Sequence, residues 1–289
     1  MIEICDGNST KWSWHISAAQ SIIRSEKRLH HSTTSTWRFL IAVFGYVDSV
    51  ITISNCQAPL MTLEELAQDE NPAGSSAPSP EVRPCTLYNE ALFGFSLPLF
   101  DSIAKISDLA NRRIDRIDDI SELWFRQSAI RIENDLREWE PDVGDQAMDR
   151  NSRDLVHAAY AIKWASILRL HQVVEGYNRS DLCVSECTSQ ILDHISEIRF
   201  GSPAEHILIF PLVMAASGCQ DEEQRITVRE RWMVMERTLG FDNIFHAREM
   251  VEAVWKTKDQ GVQDGTEQSG STVNWAKIRY FDFPGVVLL

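Results

Sequence analysis

Apolar residues along this 289-residue chain recur at steps of three and four, the spacing of one face of an α-helix. Trp37, Leu40, Ile41, Phe44, Val47 and Ile51 form the first such face, and Asp48 within it must find a partner or face outward. Phe125, Ala129, Ile132, Leu136 and Trp139 form a second, stopped by Pro141. Leu155, Ala159, Ile162, Ser166, Leu170 and Val173 form a third, ending near Gly176. Ser180 opens a fourth with Val184, Cys187, Ile191, Ile195 and Ile198. Val228, Trp232, Met235 and Leu239 line the next, which Gly240 ends, and Asp242 caps another lined by Ile244, Ala247, Val251, Val254 and Trp255. Strand alternation and internal repeats are not evident, so the expected fold is all-α, an irregular multi-helix bundle or array.

Breaks in this pattern set the expected domain limits. Residues 1–35 are polar and rich in Ser and Thr, with weak helical character around His15–Leu29, and are expected to be poorly ordered. The helical domain is expected over 36–289. The stretch DENPAGSSAPSPEVRP (Asp69–Pro84) holds four prolines, and GVQDGTEQSGS (Gly261–Ser271) is rich in Gly, so loops are expected near 69–84 and 261–271. The apolar tail VNWAKIRYFDFPGVVLL should dock on the body.

Start signals refine the helices. Ser96 with Pro98, Asp119 with Glu122, and Ser202-Pro203-Ala204-Glu205 read as N-terminal caps. The segment FPLVMAASGCQDEEQR (Phe210–Arg225) runs from an apolar helix through Gly218-Cys219 into acid. Gly218 is expected to be a left-handed residue closing one helix, Asp221 or Gln220 to cap the next, and Pro211 to kink the preceding helix after Ile207. Cys219 reads as structural. A nucleophile there needs a base, with His206 and His246 the candidates, and acidic neighbours raise a thiol pKa.

Arg153, His157, Tyr160, Trp164, Leu168 and His171 form a second stripe, about 180° from the Leu155 face at 100° per residue. A helix covered on both sides is central. His157, Tyr160, Trp164 and His171 are candidate ligand-binding residues, suited as a pocket wall to a small molecule; the alternative is a buried helix with locally partnered His and Tyr. Cys183 and Cys187 share a helical face with His194, but His194 lies roughly 10 Å further along the axis, too far for one ion. These thiols are expected to be core. The acidic clusters Asp115–Asp119 and Asp221–Glu223 fit helix starts and solvated faces better than cation or general-acid sites. Phosphate-loop, dinucleotide, His-Glu-x-x-His and Gly-x-Ser-x-Gly signatures do not occur. Catalytic residues, metals and cofactors are not expected, and the chain is not read as an enzyme.

Charge narrows the partners. The net charge is −14, with +1 over residues 1–60 and −15 beyond. Such a body is repelled by nucleic-acid phosphates and anionic membranes. Six cysteines (Cys5, Cys56, Cys85, Cys183, Cys187 and Cys219) are sparse for the length, and a reducing setting with free thiols is expected. The longest apolar-rich run, Phe39–Val47, stops at Asp48, so no membrane span is expected.

Three blocks carry a family resemblance: ALFGFSLPLFDSIAKISDLANRR, FPLVMAASGCQDEEQR and LGFDNIFHAREMVEAVWKTKDQG. In sequence and order, with Trp275 in the apolar tail, they resemble the fungal-specific transcription factor domain. This is the helical regulatory region of fungal binuclear zinc cluster regulators of the acriflavine-sensitivity-control type, and the likeness runs from about Trp37 to the C-terminus. The resemblance implies a nuclear transcription regulator of metabolite biosynthesis or drug response. It also implies that DNA contact belongs to a separate zinc cluster needing six cysteines in a short basic segment; residues 1–60 hold Cys5 and Cys56. The chain itself is therefore expected to hold no zinc and to make no direct DNA contact. It is expected to act through a protein partner, either a DNA-bound regulator or the transcription machinery, with a small-molecule effector compatible. The runner-up reading is an all-α metabolite-binding protein or enzyme using the His157, Trp164 and His171 stripe.

Overall fold

The structure, a computed structural model, describes residues 11–29, 34–55, 57–61, 65, 96–143, 149–177, 181–263 and 273–288. Among them are ten α-helices and no strand: α1 Trp12–Leu29, α2 Ser35–Asn55, α3 Leu97–Asn111, α4 Asp119–Glu138, α5 Arg150–Val174, α6 Leu182–Glu197, α7 Ile209–Gly218, α8 Glu222–Thr238, α9 Asp242–Gln263 and α10 Trp275–Asp282. Short 3-10 turns cover Arg112–Asp115 and Pro203–Ile207.

Helix α5 is the hub. It packs on α3, α4, α6 and α7, which buries Ala159, Ile162, Ser166, Leu170 and Val173 of its first stripe; of the second, Leu168 is buried, His157, Tyr160, Trp164 and His171 are half-buried and Arg153 is exposed. Lys163 in mid-α5 reaches carbonyls at the end of α4, and Glu175 just past α5 pairs with Arg126 nearer the start of α4; the two helices are therefore antiparallel. The same holds for α5 and α6, because His157 meets His194 while His171 meets Asp181. Helices α8 and α9 are antiparallel as well, joined by the pairs Arg225–Asp259, Arg229–Glu252 and Arg248–Glu236. The buried faces of α4, α6, α8 and α9 are those expected from the spacing, with Leu136, Ile191, Trp232 and Trp255 fully enclosed. The tail docks: Val286, Val287 and Leu288 are buried, and Leu288 N–H donates to Ser54 Oγ at 2.8 Å.

Residues 12–29, inside the segment expected to be poorly ordered, form α1. Trp12 and Ile23 are buried, the latter with Phe44 and Met61 in a small second core. Sparse apolar residues suffice because residues 57–61 help hold the helix: Gln20 Nε2 donates to the Leu60 carbonyl at 2.7 Å. The next residue serves α2, whose Asp48 carboxylate accepts the Met61 N–H at 2.9 Å. Asp48 is thus buried without breaking its helix. Burial raises its pKa, opposed by those backbone donors. Thr36–Ser54 is consequently long and apolar enough to cross a membrane by length and composition, further than the run expected to end at Asp48; 61% of that window is buried inside the fold, as in a core helix.

Cap positions moved slightly. Asp118, not Asp119, caps α4, in a reciprocal box with Ser121. Asp181 caps α6, and Ser180 lies outside the described residues. Ser96 precedes α3 without a side-chain cap bond. Asp221 caps α8 through Gln224 N–H. Ser202 caps a 3-10 turn, and Glu205 accepts the Gly201 N–H in place of the box partner. Helix α9 continues to Gln263, three residues into the expected 261–271 loop; the remainder of that loop and the 69–84 linker lie outside the described residues.

Two expectations for the Phe210–Arg225 segment are corrected. Pro211 does not kink a continuous helix. The chain leaves the 3-10 turn at Ile207 and α7 begins at Ile209, so Pro211 sits in the first turn, where its missing N–H has no intrahelical partner to lose. Gly218 is not left-handed. The described glycines with positive φ include Gly176 and Gly240, which end α5 and α8, whereas Gly218 is the last helical residue of α7. Its role is close approach: a Cβ there would lie 2.1 Å from Thr188 Oγ1 of α6. Cys219 follows as a buried thiol, its pKa pushed up to about 12 by burial. His206 accompanies the Pro203 carbonyl and His246 lies against Glu249.

Gly218→Ala is therefore expected to destabilise the fold by about 1–3 kcal/mol through overpacking. Thr188→Ala should restore much of that loss in the double variant, because it removes the colliding oxygen. Urea unfolding of the four proteins checks this; a loss that Thr188→Ala does not relieve would mean backbone strain after all.

Candidate functional site

The α5 stripe separates into two places. The rise along a helix puts His157 and His171 roughly 21 Å apart, and each meets a different end of α6.

At the first place, His157 Nδ1 lies 3.2 Å from His194 Nδ1, and Tyr160 stacks on the His194 ring at 4.9 Å. Trp139 meets the Tyr160 edge at 6.2 Å, and the Tyr160 hydroxyl donates to Glu140. Burial first, then Glu140, push the Tyr160 pKa up to about 12. Beneath the ring, Lys163 Nζ donates to the Arg137 and Trp139 carbonyls at 3.0 and 2.7 Å. His157, Tyr160 and His194 thus act as mutual packing partners, the locally partnered alternative. Sequence spacing could not supply Glu140 or Lys163 because both interactions cross between helices. Trp164 is half-buried against the main core.

At the second place, His171 lines a cleft of about 190 Å³ between α4, α5 and α6. Its apolar wall includes Ile130, Ile167, Leu170 and Val174; Arg126, Glu133 and Glu175 add charge. Of the four candidate residues only His171 is part of this wall. Cys183 of α6 completes it. The Cys183 and Cys187 sulfurs are 3.9 Å apart, so the two thiols are together as their spacing implies, while His194 is at the far end of the helix. His171 Nε2 lies 3.3 Å from Asp181 Oδ2. His171 and Cys183 share this wall because α5 and α6 run antiparallel, which spacing within either helix could not reveal.

A separate surface surrounds the start of α4. Ile114, Ile117 and Ile120 are each more than three-quarters exposed, and Leu123 and Trp124 about half. Arg112 lies over the Trp124 ring at 5.4 Å, and Arg116 clamps Glu122 at 2.8 Å, fixing the turn that presents these side chains. Singly exposed apolar residues are ordinary; here five fall between Ile114 and Trp124.

Comparison with known proteins adds one match: the model of the family described as fungal specific transcription factor domain matches residues 1–280. No curated protein and no solved structure matches the chain.

The two histidines at opposite ends of α6 should give opposite pH responses. Burial first, then His157, hold the His194 pKa below the ordinary 6.5. Its contribution to stability is present above that value and lost as pH falls through the folded pKa. His171 is raised, chiefly by Cys183, so its contribution is present below 6.5 and lost as pH rises through its folded pKa. Urea midpoints measured from about pH 5 to 8 should show His194→Gln flattening the acid limb and His171→Gln the alkaline one. Unchanged limbs in both variants would refute these pairings.

Proposed function

Because the chain belongs to the fungal-specific transcription factor domain family, we propose that it is the helical regulatory module of a zinc cluster type transcription regulator. It works in the nucleus and has no catalytic role of its own. The match across residues 1–280 carries this reading. The exposed apolar surface from Ile114 to Trp124 supports it in one particular: a regulator with a net charge of −14 is repelled by phosphate and gains sequence-specific effect through a protein that binds DNA. The proposed partner is that DNA-bound regulator or the transcription machinery, and the proposed setting is control of metabolite biosynthesis or drug response. The cleft beside His171 supports a small-molecule effector, and it is also what favours the second reading, a metabolite-binding all-α protein.

Tethering the chain to an unrelated DNA-binding domain should change transcription of a reporter carrying that domain's sites. Ile117→Asp with Ile120→Asp should abolish the change while moving stability by no more than about 0.5 kcal/mol, as exposed positions do. A tethered wild type without effect would count against the regulatory role. A double variant with full effect would move the contact elsewhere on the surface. In a salt series, the purified chain should show no specific duplex binding; a slope equivalent to several phosphate contacts would refute the need for a partner.

A further inference from the structure

Cys183 is the second residue of α6, and Asp181 caps that helix by accepting the Cys183 N–H at 2.9 Å. Its sulfur therefore sits at the positive end of a sixteen-residue helix. Three further features converge on it. Cys187, one turn along, is fully buried with its sulfur 3.9 Å away. His171 stands beside it from α5. The cleft of about 190 Å³ opens in front of it, with Ile130, Ile167 and Leu170 in its wall. The first two act electrostatically as well: the hydrogen bond from Cys187 and then the His171 imidazole hold the Cys183 thiol well below the usual thiol range, while Cys187 is pushed up and keeps its proton. The charged and titratable groups around the sulfur are Arg126, Glu133 and Arg137 from α4, His171 and Glu175 from α5 and its end, and Asp181, Glu186 and Cys187 from α6 and its cap.

We propose that Cys183 is a covalent capture site for small apolar electrophiles of the α,β-unsaturated carbonyl class, seated in the cleft between α4, α5 and α6. The apolar wall takes the hydrocarbon part. A cleft of about 190 Å³ suits a short enal or enone. The thiolate sulfur attacks the β-carbon and an S–C bond forms. The C=C π pair moves to the α-carbon as an enolate, which takes the proton carried by the His171 imidazolium. The products are a saturated carbonyl thioether and a neutral imidazole, so one S–H has added across one double bond and no oxidant is needed. Cys187 and Cys219 are excluded from the reaction because both are buried and keep their protons. The site is independent of the regulatory role, since adduct formation is read on the purified chain.

The test treats the folded full chain with trans-2-hexenal, stabilises the adduct with borohydride and maps cysteine-containing peptides by mass spectrometry at several pH values. Cys183 should react at least tenfold faster than Cys187 and Cys219, and at about pH 6 at least tenfold faster than it does in the urea-unfolded chain. His171→Gln, shown to be folded by its thermal transition, should slow the reaction at about pH 6 at least fivefold while leaving the rate near pH 9 almost unchanged. The proposal is overturned if Cys183 reacts no faster folded than unfolded, or if the pH profile of His171→Gln matches the wild type. Stoichiometric zinc that protects Cys183 and Cys187 together would also overturn it, in favour of a metal site.

Discussion

Every α-helix ends with carbonyls that have no donor within the helix, and this protein answers them with buried cations sent from neighbouring helices. Arg231 of α8 donates to the Ile195 and Ile198 carbonyls at the end of α6, both at 2.6 Å. Lys163 of α5 does the same for the end of α4, and Lys258 of α9 for Ser217 at the end of α7. Arg279 of α10 holds the tail through the Val286 carbonyl. All four side chains belong to residues that are at least nine-tenths buried. Burying a cation costs several kcal/mol unless it is fully bonded, so each of these contacts is demanding: the carbonyl must lie where the cation can reach it. Burial lowers the Arg231 pKa despite Glu205, which is itself fully enclosed and accepts from Gly201 N–H, Arg231 and Thr238. Helix lengths and lateral positions are thereby coupled. Extending α6 by a turn would strip Arg231 of its acceptors as well as disturbing the chain link to α7.

That coupling explains which features were legible in the sequence. Burial faces were, because periodicity reports them directly: Phe125 to Leu136 in α4 and Ile244 to Trp255 in α9 lie where the spacing put them. Gly240 ends α8 in the left-handed conformation by the same local logic. Gly218 looked identical in sequence, a glycine between an apolar helix and an acidic cap, yet its cause is Thr188, thirty positions away and on another helix. The histidine stripe failed similarly. Spacing correctly placed His157 and His171 on one side of α5, but a stripe of that length spans both ends of α6 and therefore faces two environments. The cation caps carried no sequence signal, since Lys163 and Arg231 in mid-helix resemble solvated residues until the neighbouring helix end is in place.

The interior and the surface divide the chemistry between them. Inside, polar groups are tied in chains such as Trp275 to Gln172 to Ser217, at 2.9 Å each, which fasten the C-terminal segment across α5 to α7. Outside, acidic groups outnumber basic ones, and among the described residues Arg225, Arg229 and Arg248 bridge α8 and α9 in ion pairs. Exposed pairs of this kind contribute little stability singly; what opposes a polyanion is the net charge of −14. The surface that stands apart is the apolar one at Ile114, Ile117 and Ile120, and its chemistry suits a protein contact.

Helix α6 joins these themes. Its C-terminal end is fixed by Arg231 and by the turn that follows, where Asp154 accepts from Arg199 at 2.6 Å and from Ser202 at 2.7 Å. Along its length Thr188 leaves room only for a glycine on α7. Its N-terminal end carries Asp181, Cys183 and Cys187 against His171. A helix restrained at one end and along its middle has little freedom to swing, so the sulfur of Cys183 and the imidazole of His171 are held in a defined relation at the mouth of a preformed cleft. Preorganisation of this kind makes a thiolate at a helix start selective, because the neighbouring groups need not be gathered when a ligand arrives. The same restraint means that a bulky group added at Cys183 cannot be accommodated by sliding α6. It must be taken up by the cleft wall contributed by α4, the helix whose first turn carries the exposed Ile120.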